Sequence, residues 1–313
     1  MKGINLTMLV IGFTTITAWT QSFNLKPQEL SIPTSPGLVL MDKSPASIEK
    51  PTNPKALSIS VLNLFLGGAV EFTPYWLKNK PKLTFEDYQR KKIPFLQTLA
   101  FSVATFRTDT SSTLGGGFRT QFFRCYAKEV TDSILLIKAK LVELLVEDEL
   151  NTDEISKWKN KLLDLKLKPT FNVELAGAYL GYAGPNKKIT PQRSGFWLNV
   201  RWSPFKVPFS AVGLFRYTND IAKRLENGLE TSYLDYGLNI SYDEEEFNLA
   251  LEYVYRTDLE AKVHYDRLAL VANYQLSDMI IVVASLGKDF AEVNNVLTLI
   301  GVKFGLSKEK ANL

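Results

Sequence analysis

The chain of 313 residues carries 37 basic and 33 acidic side chains, a formal net charge of +4, interspersed without a long basic run, which argues against nucleic-acid binding. A single cysteine, Cys125, and a single histidine, His264, exclude an intramolecular disulfide framework and the usual zinc cluster, and no cofactor is expected. Cys125 reads as a buried structural thiol.

The amino terminus has the pattern of an export signal. Lys2 supplies the positive start, Met8 to Ile16 a short apolar stretch, and Ala18-Trp19-Thr20 the residues before cleavage near Gln21, so residues 1–20 are read as a signal peptide. Threonines break the apolar run, which falls short of the roughly 20 residues a helical span needs, and no later segment has 18 uninterrupted apolar residues. Residues 21–55 contain Pro27, Pro33, Pro36, Pro45, Pro51 and Pro54 with little apolar periodicity. They read as an extended arm that is mobile or lies against or inside the main domain.

From Ala56 the pattern changes to short segments of period 2. About twelve strands are predicted, at 56–63, 68–76, 96–107, 111–123, 170–182, 193–203, 207–217, 232–242, 247–256, 263–275, 278–287 and 295–305. The eighth and ninth show the alternation best. Leu234, Tyr236, Leu238, Ile240 and Tyr242 share one face and Asp235, Gly237, Asn239 and Ser241 the other. A turn at Asp243 to Glu246 would pair Tyr242 with Phe247, Ile240 with Leu249 and Tyr236 with Tyr253. Strands 207–217 and 278–287 leave their facing open. Connections from the fifth strand onward alternate long with short, in register with both termini on the periplasmic side of an outer-membrane barrel. Between the fourth and fifth strands, residues 125–168 change period. Val130, Ile134, Ile137, Leu141 and Leu144, then Ile155, Trp158, Leu162 and Leu165, predict a hairpin of two amphipathic helices on the periplasmic side.

Both a soluble sandwich and a membrane barrel alternate, so the polar face has to discriminate. It is rich in Gly, Ala, Ser and Asn with isolated charges, which suits a crowded interior. The other face is almost wholly aliphatic and aromatic, with aromatics near strand ends such as Tyr179, Trp202, Tyr217, Tyr242 and Tyr255. The predicted fold is therefore all-β: a transmembrane, antiparallel, up-and-down barrel of about 12 strands over 56–306, with the helical insert, the proline-rich arm and a 307–313 tail. Outer-membrane lipid is its expected surrounding. A secreted soluble β-sandwich with a binding role is the alternative.

Here the chain resembles outer-membrane β-barrel proteins of the Bacteroidota. The residues concerned are Pro33-Thr34-Ser35-Pro36, Lys50-Pro51-Thr52-Asn53-Pro54-Lys55-Ala56-Leu57 and Ala69-Val70-Glu71-Phe72-Thr73-Pro74-Tyr75-Trp76. The resemblance implies location and architecture, and no specific activity.

The candidate lumen-lining residues are Glu71, Arg119, Gln121, Glu174, Asn199, Arg201, Asp235, Asn239, Glu252, Arg267 and Lys303. Charges of both signs recur, so they would form either a selective pore or a paired polar network filling a narrow lumen. Ile134, Leu141, Trp158 and Leu162 of the insert are candidates for docking other envelope proteins. An enzyme of the barrel-lipase kind would need a serine beside His264; the strand after it, Tyr265 to Tyr274, has none, and no catalytic function is expected. Gly115-Gly116-Gly117 lacks the lysine and the strand-turn-helix setting of a phosphate loop and is read as relief of crowding in a barrel wall. Two functional classes follow: a narrow channel or uptake accessory for small polar solutes, and a structural or docking barrel without transport.

Overall fold

The computed structural model describes residues 34–306 apart from 53–54, 63–65, 78–90, 108–111, 147–150, 168, 184–188, 206, 222–230, 245–246, 278–279 and 291–295. The expected signal peptide, the first part of the arm and the tail lie outside the described residues. The strands are β1 (Leu57–Leu62), β2 (Gly67–Phe72), β3 (Ala100–Arg107), β4 (Ser112–Cys125), β5 (Phe171–Ala183), β6 (Ile189–Trp202), β7 (Phe209–Asp220), β8 (Ser232–Asp243), β9 (Phe247–Asp258), β10 (His264–Ser277), β11 (Ile280–Lys288) and β12 (Val296–Leu306). Each pairs antiparallel with its sequence neighbours, and β1 pairs with β12 from Leu57↔Leu306 to Leu62↔Gly301. The result is a closed up-and-down barrel of 12 strands. Closure leaves no sheet edge and excludes the β-sandwich alternative.

Among the described residues, five helices accompany the wall: α1 (Pro36–Leu40), α2 (Pro74–Leu77), α3 (Phe95–Thr98), α4 (Lys128–Val146) and α5 (Thr152–Leu167). Two of them correct the expected strand ends. The second strand stops at Phe72 and the third begins only at Ala100, because Pro74 and Pro94 lack the N–H that a ladder requires and each opens a helical turn instead. The Trp76 amide donates to the Thr73 carbonyl at 3.1 Å and the Thr98 hydroxyl to the Pro94 carbonyl at 2.9 Å, closing both turns, and the Thr73 hydroxyl ties the first to the Lys55 carbonyl at 2.9 Å.

The alternation sorts the side chains. Leu238, Ile240, Leu251, Leu270 and Ile300 point outward and are exposed. At the end of the barrel where β1 starts, here called proximal, the exposed aromatics Trp202, Phe209, Phe247 and Tyr274 form one ring, and Tyr179, Tyr217, Tyr236 and Tyr255 form another toward the distal end. An apolar band between two aromatic girdles is the exterior that a bilayer requires.

The β8–β9 register differs from expectation by two residues. Tyr242 pairs with Leu249, Ile240 with Leu251 and Tyr236 with Tyr255. The turn sits one position later, with the Glu244 amide donating to the Phe247 carbonyl at 2.8 Å. This register sets Asp235 opposite Arg256, a charge pair that the expected one would have separated. A shift of two preserves which face each side chain takes. In β4 the register slips between Gln121 and Phe123. That bulge turns Arg124 inward and Cys125 outward, so the thiol expected to be buried is half-exposed.

Candidate functional site: the filled lumen

The arm is not an extended free segment. Its described part, residues 34–52, runs inside the barrel. Thr34, the first described residue, lies in the proximal half, where Arg119 Nη2 donates to its carbonyl at 3.2 Å. It climbs through α1, whose first turn is set by Pro36 at N1 and by the Ser35 hydroxyl accepting from the Gly37 amide at 3.3 Å. The helix stops in a paired C-terminal motif: Lys43 N donates to Leu38 O at 3.2 Å and Asp42 N to Val39 O at 3.1 Å, with Asp42 in the left-handed region at φ 54°. From there the chain turns back and descends to Thr52, then joins β1. Wall and arm together bury three apolar clusters. Val39, Leu40 and Ile48 pack on Leu180, Trp197, Val212, Leu214 and Val254; Leu38 packs on Leu62, Ala69 and Ala104; and Ala46 sits against a cluster that includes Val271 and Val283. This explains why β7 and β11 resisted a facing assignment: their inner residues Val212, Leu214, Ile281 and Val283 are apolar because they touch the arm or its apolar surroundings.

The wall glycines record the same fit. A Cβ on Gly37 of the arm would come within 2.8 Å of Ala104 Cβ, one on Gly195 within 2.7 Å of Leu40, and one on Gly237 within 2.6 Å of Ile48. In the triplet, a Cβ on Gly117 would meet Pro36 at 2.8 Å and one on Gly115 would meet Met41 at 3.1 Å, whereas Gly116, facing outward, meets nothing within 4 Å.

Polar contacts hold the arm at three levels. At the distal level Asp42 accepts from Arg193 Nη1 at 2.7 Å and Arg256 Nη2 at 3.3 Å. Arg193 continues to Asp220 at 3.1 Å, and Arg256 to Asp235 at 2.8 Å, which also accepts from Arg216 Nε at 2.7 Å. The Arg256 guanidinium lies 3.7 Å from the ring centroid of Phe290. Burial alone would raise the Asp42 pKa, but the facing guanidiniums of Arg256, Arg193 and Arg216 outweigh it and hold the carboxyl well below its ordinary value. At mid-height the Glu252 carboxylate accepts from the backbone amides of Ser47 (2.9 Å) and Ile48 (2.8 Å), with Arg267 Nε 3.3 Å away and Arg267 Nη2 donating to the Pro45 carbonyl at 3.0 Å. At the proximal level Lys50 Nζ donates to both oxygens of Asp243 at 2.7 Å, and Arg201 Nη1 to the Pro51 carbonyl at 3.2 Å. Gln121 Nε2 donates to the Thr52 carbonyl and Arg119 Nη2 to Glu71 at 2.6 Å.

All eleven candidate lining residues are buried. Seven of them, Glu71, Arg119, Gln121, Arg201, Asp235, Glu252 and Arg267, belong to these contacts. Glu174 lies beside Gln121 and Asn199 across neighbouring strands, Asn239 stands opposite Glu252, and Lys303 is on β12 opposite Ser60. Sequence reasoning missed Asp42, Lys50, Arg193, Arg216, Asp220, Asp243 and Arg256, and also Glu49, which accepts from the Thr34 amide at 3.1 Å and the Ser44 hydroxyl at 3.3 Å within the arm. Arg256 shares the parity of Glu252 and was within reach; the three arm residues had no periodicity to place them. A cavity lined by Thr52, Glu71, Thr98, Arg119, Gln121 and Glu174 measures about 10 Å³, room for about one water. With the arm in place, this part of the lumen is packed rather than open.

Two other expectations are resolved away from the lumen. Leu141 and Leu162 are buried, and Ile134 and Trp158 partly buried, in the core that α4 and α5 form with each other. They are therefore not a docking face: amphipathic stripes on antiparallel neighbours satisfy one another first. His264 is exposed and stacks on Tyr255 at 5.1 Å, with Nδ1 at 3.3 Å from the Thr257 hydroxyl, at the distal rim.

No protein-family model matches the chain, and no curated protein matches it by sequence. Among solved structures, the chain is similar to the KdgM porin in complex with disordered oligogalacturonate, at TM-score 0.40 and 9% identity over 80% of this chain and 98% of that one. It is also similar to the CymD monoaromatic hydrocarbon channel, at TM-score 0.36 and 11% identity over 91% and 99%, and to the Acinetobacter baumannii outer membrane protein Omp33, at 0.35 and 9% over 82% and 100%. Similarity at this level specifies no substrate.

Proposed function

We propose that this protein is an outer-membrane β-barrel channel closed by its own arm, in which residues 34–52 are a plug that must shift before small polar solutes pass. The observation that carries the reading is the attachment of the arm to the wall at three levels, by Asp42 to β6 and β9, by Ser47–Ile48 to β9 and by Lys50 to β8, while β4 holds the carbonyls of Thr34 and Thr52 from the other side. A membrane location is supported by barrel closure, since hydrocarbon tolerates no unpaired backbone, by the girdled apolar exterior and by the export pattern of residues 1–20. The narrower likeness to Bacteroidota barrels rests on the motifs at 33–36, 50–57 and 69–76; the part of them that is described lies where the arm enters the lumen and where it joins the first hairpin.

The wall suits a reversible plug. Its ion pairs lie on the lumen side, so if the arm withdraws, water replaces it and solvates the charges that remain. What stays behind is a polar passage lined by both signs, which fits small polar solutes.

Planar-bilayer recording tests the reading. The native chain is expected to be silent or nearly so, whereas Gly237→Leu and Gly195→Leu, whose new side chains strike Ile48 and Leu40, are expected to give stepwise currents while far-UV circular dichroism stays that of the barrel. Silence in both folded variants would favour a structural barrel without transport.

A further inference from the structure

Helix α4 carries a second apolar seam that the hairpin leaves uncovered. Its first seam, Val130, Ile134, Ile137, Leu141 and Leu144, packs on α5 or is buried beside it. About 150° further round the helix, Leu135, Ala139, Val142 and Val146 recur at spacings of 4, 3 and 4, the heptad pattern of a coiled coil. Leu135, Val142 and Val146 are 61%, 63% and 78% exposed, and the flanking Leu136 and Leu145 are 72% and 50% exposed. Charges border the seam in matching register. Lys138 precedes Ala139, and Glu143 follows Val142 five residues on. In a parallel pair of identical helices these are the flanking positions that meet across the interface, Lys138 of one copy with Glu143 of the other. Within one copy Glu143 already accepts from Lys140 at 3.0 Å, an exposed contact that leaves the carboxylate reachable.

We propose that this seam docks on the same seam of a second copy of the chain, making a dimer through an α4–α4 coiled coil at the proximal end. A second copy fits better than a lipid surface, because Lys138 and Glu143 border the seam with opposite signs that pair across a parallel dimer, where a lipid surface calls for a basic border. The roots of the hairpin favour it too. They are fixed to adjacent strands, with the Ala127 amide donating to the Thr170 hydroxyl at 2.9 Å, so two barrels inserted in the same direction present their hairpins on the same side of a membrane.

The test uses the full chain in lipid nanodiscs, with Cys125→Ser to remove the native thiol. The native protein should show the mass of two protomers, and Leu135→Glu with Val142→Glu should shift it to one while the circular dichroism of the barrel is unchanged. On mild oxidation Val142→Cys should cross-link, and Lys157→Cys, on the exposed face of α5, should not. A one-protomer mass for the native chain would overturn the proposal. So would equal cross-linking at 142 and 157, or a label at 142 quenched by lipid in a monomeric protein, which would assign the seam to the bilayer.

Discussion

At the residue scale, Asp42 and Glu252 do the most to fix the arm. Asp42 is an acid in the left-handed position that ends a helix, where glycine is the usual choice. It is kept there by charge: Arg193 and Arg256 approach from different strands, and each leads to a further carboxylate. Asp42→Asn retains the backbone preference and removes the charge. It should cost about 1–3 kcal/mol, less than the roughly 3–5 kcal/mol for breaking a fully buried pair because Asp42 is partly exposed, read as a lower unfolding midpoint in detergent. Its pH dependence has a definite sign. The folded carboxyl is held below the ordinary value of 3.8, so its contribution is complete above that value and fades as the pH falls through and below it. The gap between native and Asp42→Asn should therefore be full at neutral pH and narrow in acid; a gap that widens in acid would contradict the assignment. Glu252 acts differently, by accepting two backbone amides at the turn of the arm. Glu252→Gln keeps the shape but replaces one carboxylate oxygen with an amino group that cannot accept, so protease cleavage within residues 34–52 should become faster while the barrel stays intact.

At the scale of elements, the strands could be read from the sequence because a two-sided wall imposes period 2 on its side chains. Inward Glu71, Arg119, Glu174, Asp235 and Glu252 stood out against outward Leu and Tyr for that reason. Three things could not be read. Strand ends at Phe72 and Ala100 depend on where proline removes a donor. The β8–β9 register depends on a charge pair between Asp235 and Arg256 that two-residue slips leave equally alternating. The arm's position depends on contacts with wall residues about 150 to 220 positions away, such as Arg193 with Leu40 and Arg267 with Ser44, which no local pattern encodes. The glycines were the hint within reach. Gly115 and Gly117 mark where a second chain segment presses on the wall, and crowding was the correct physical reading of them without its cause. The helical hairpin, by contrast, completes its own core and is joined to the barrel by two short roots. Replacing residues 128–167 with a short turn should leave the unfolding free energy of the barrel within about 1 kcal/mol of the native chain; loss of the barrel would show that the hairpin supports the wall.

At the scale of the whole molecule, the barrel solves a problem created by its own lining. Twelve strands enclose a lumen whose wall carries charges that need partners when water is absent, beside Val212, Leu214 and Val283, which gain from being covered. Residues 34–52 satisfy both parts at once, meeting guanidiniums with Asp42, Glu252 with backbone amides and the apolar wall with Val39, Leu40 and Ile48. Occupation of the lumen by the arm is the central claim, and thiol labelling addresses it most directly. In a Cys125→Ser background, Ser47→Cys should resist a membrane-impermeant maleimide in the folded protein and become reactive when Gly237→Leu is added, while Lys157→Cys reacts in both. Labelling of Ser47→Cys as fast as Lys157→Cys, with the wall glycines intact, would contradict the claim.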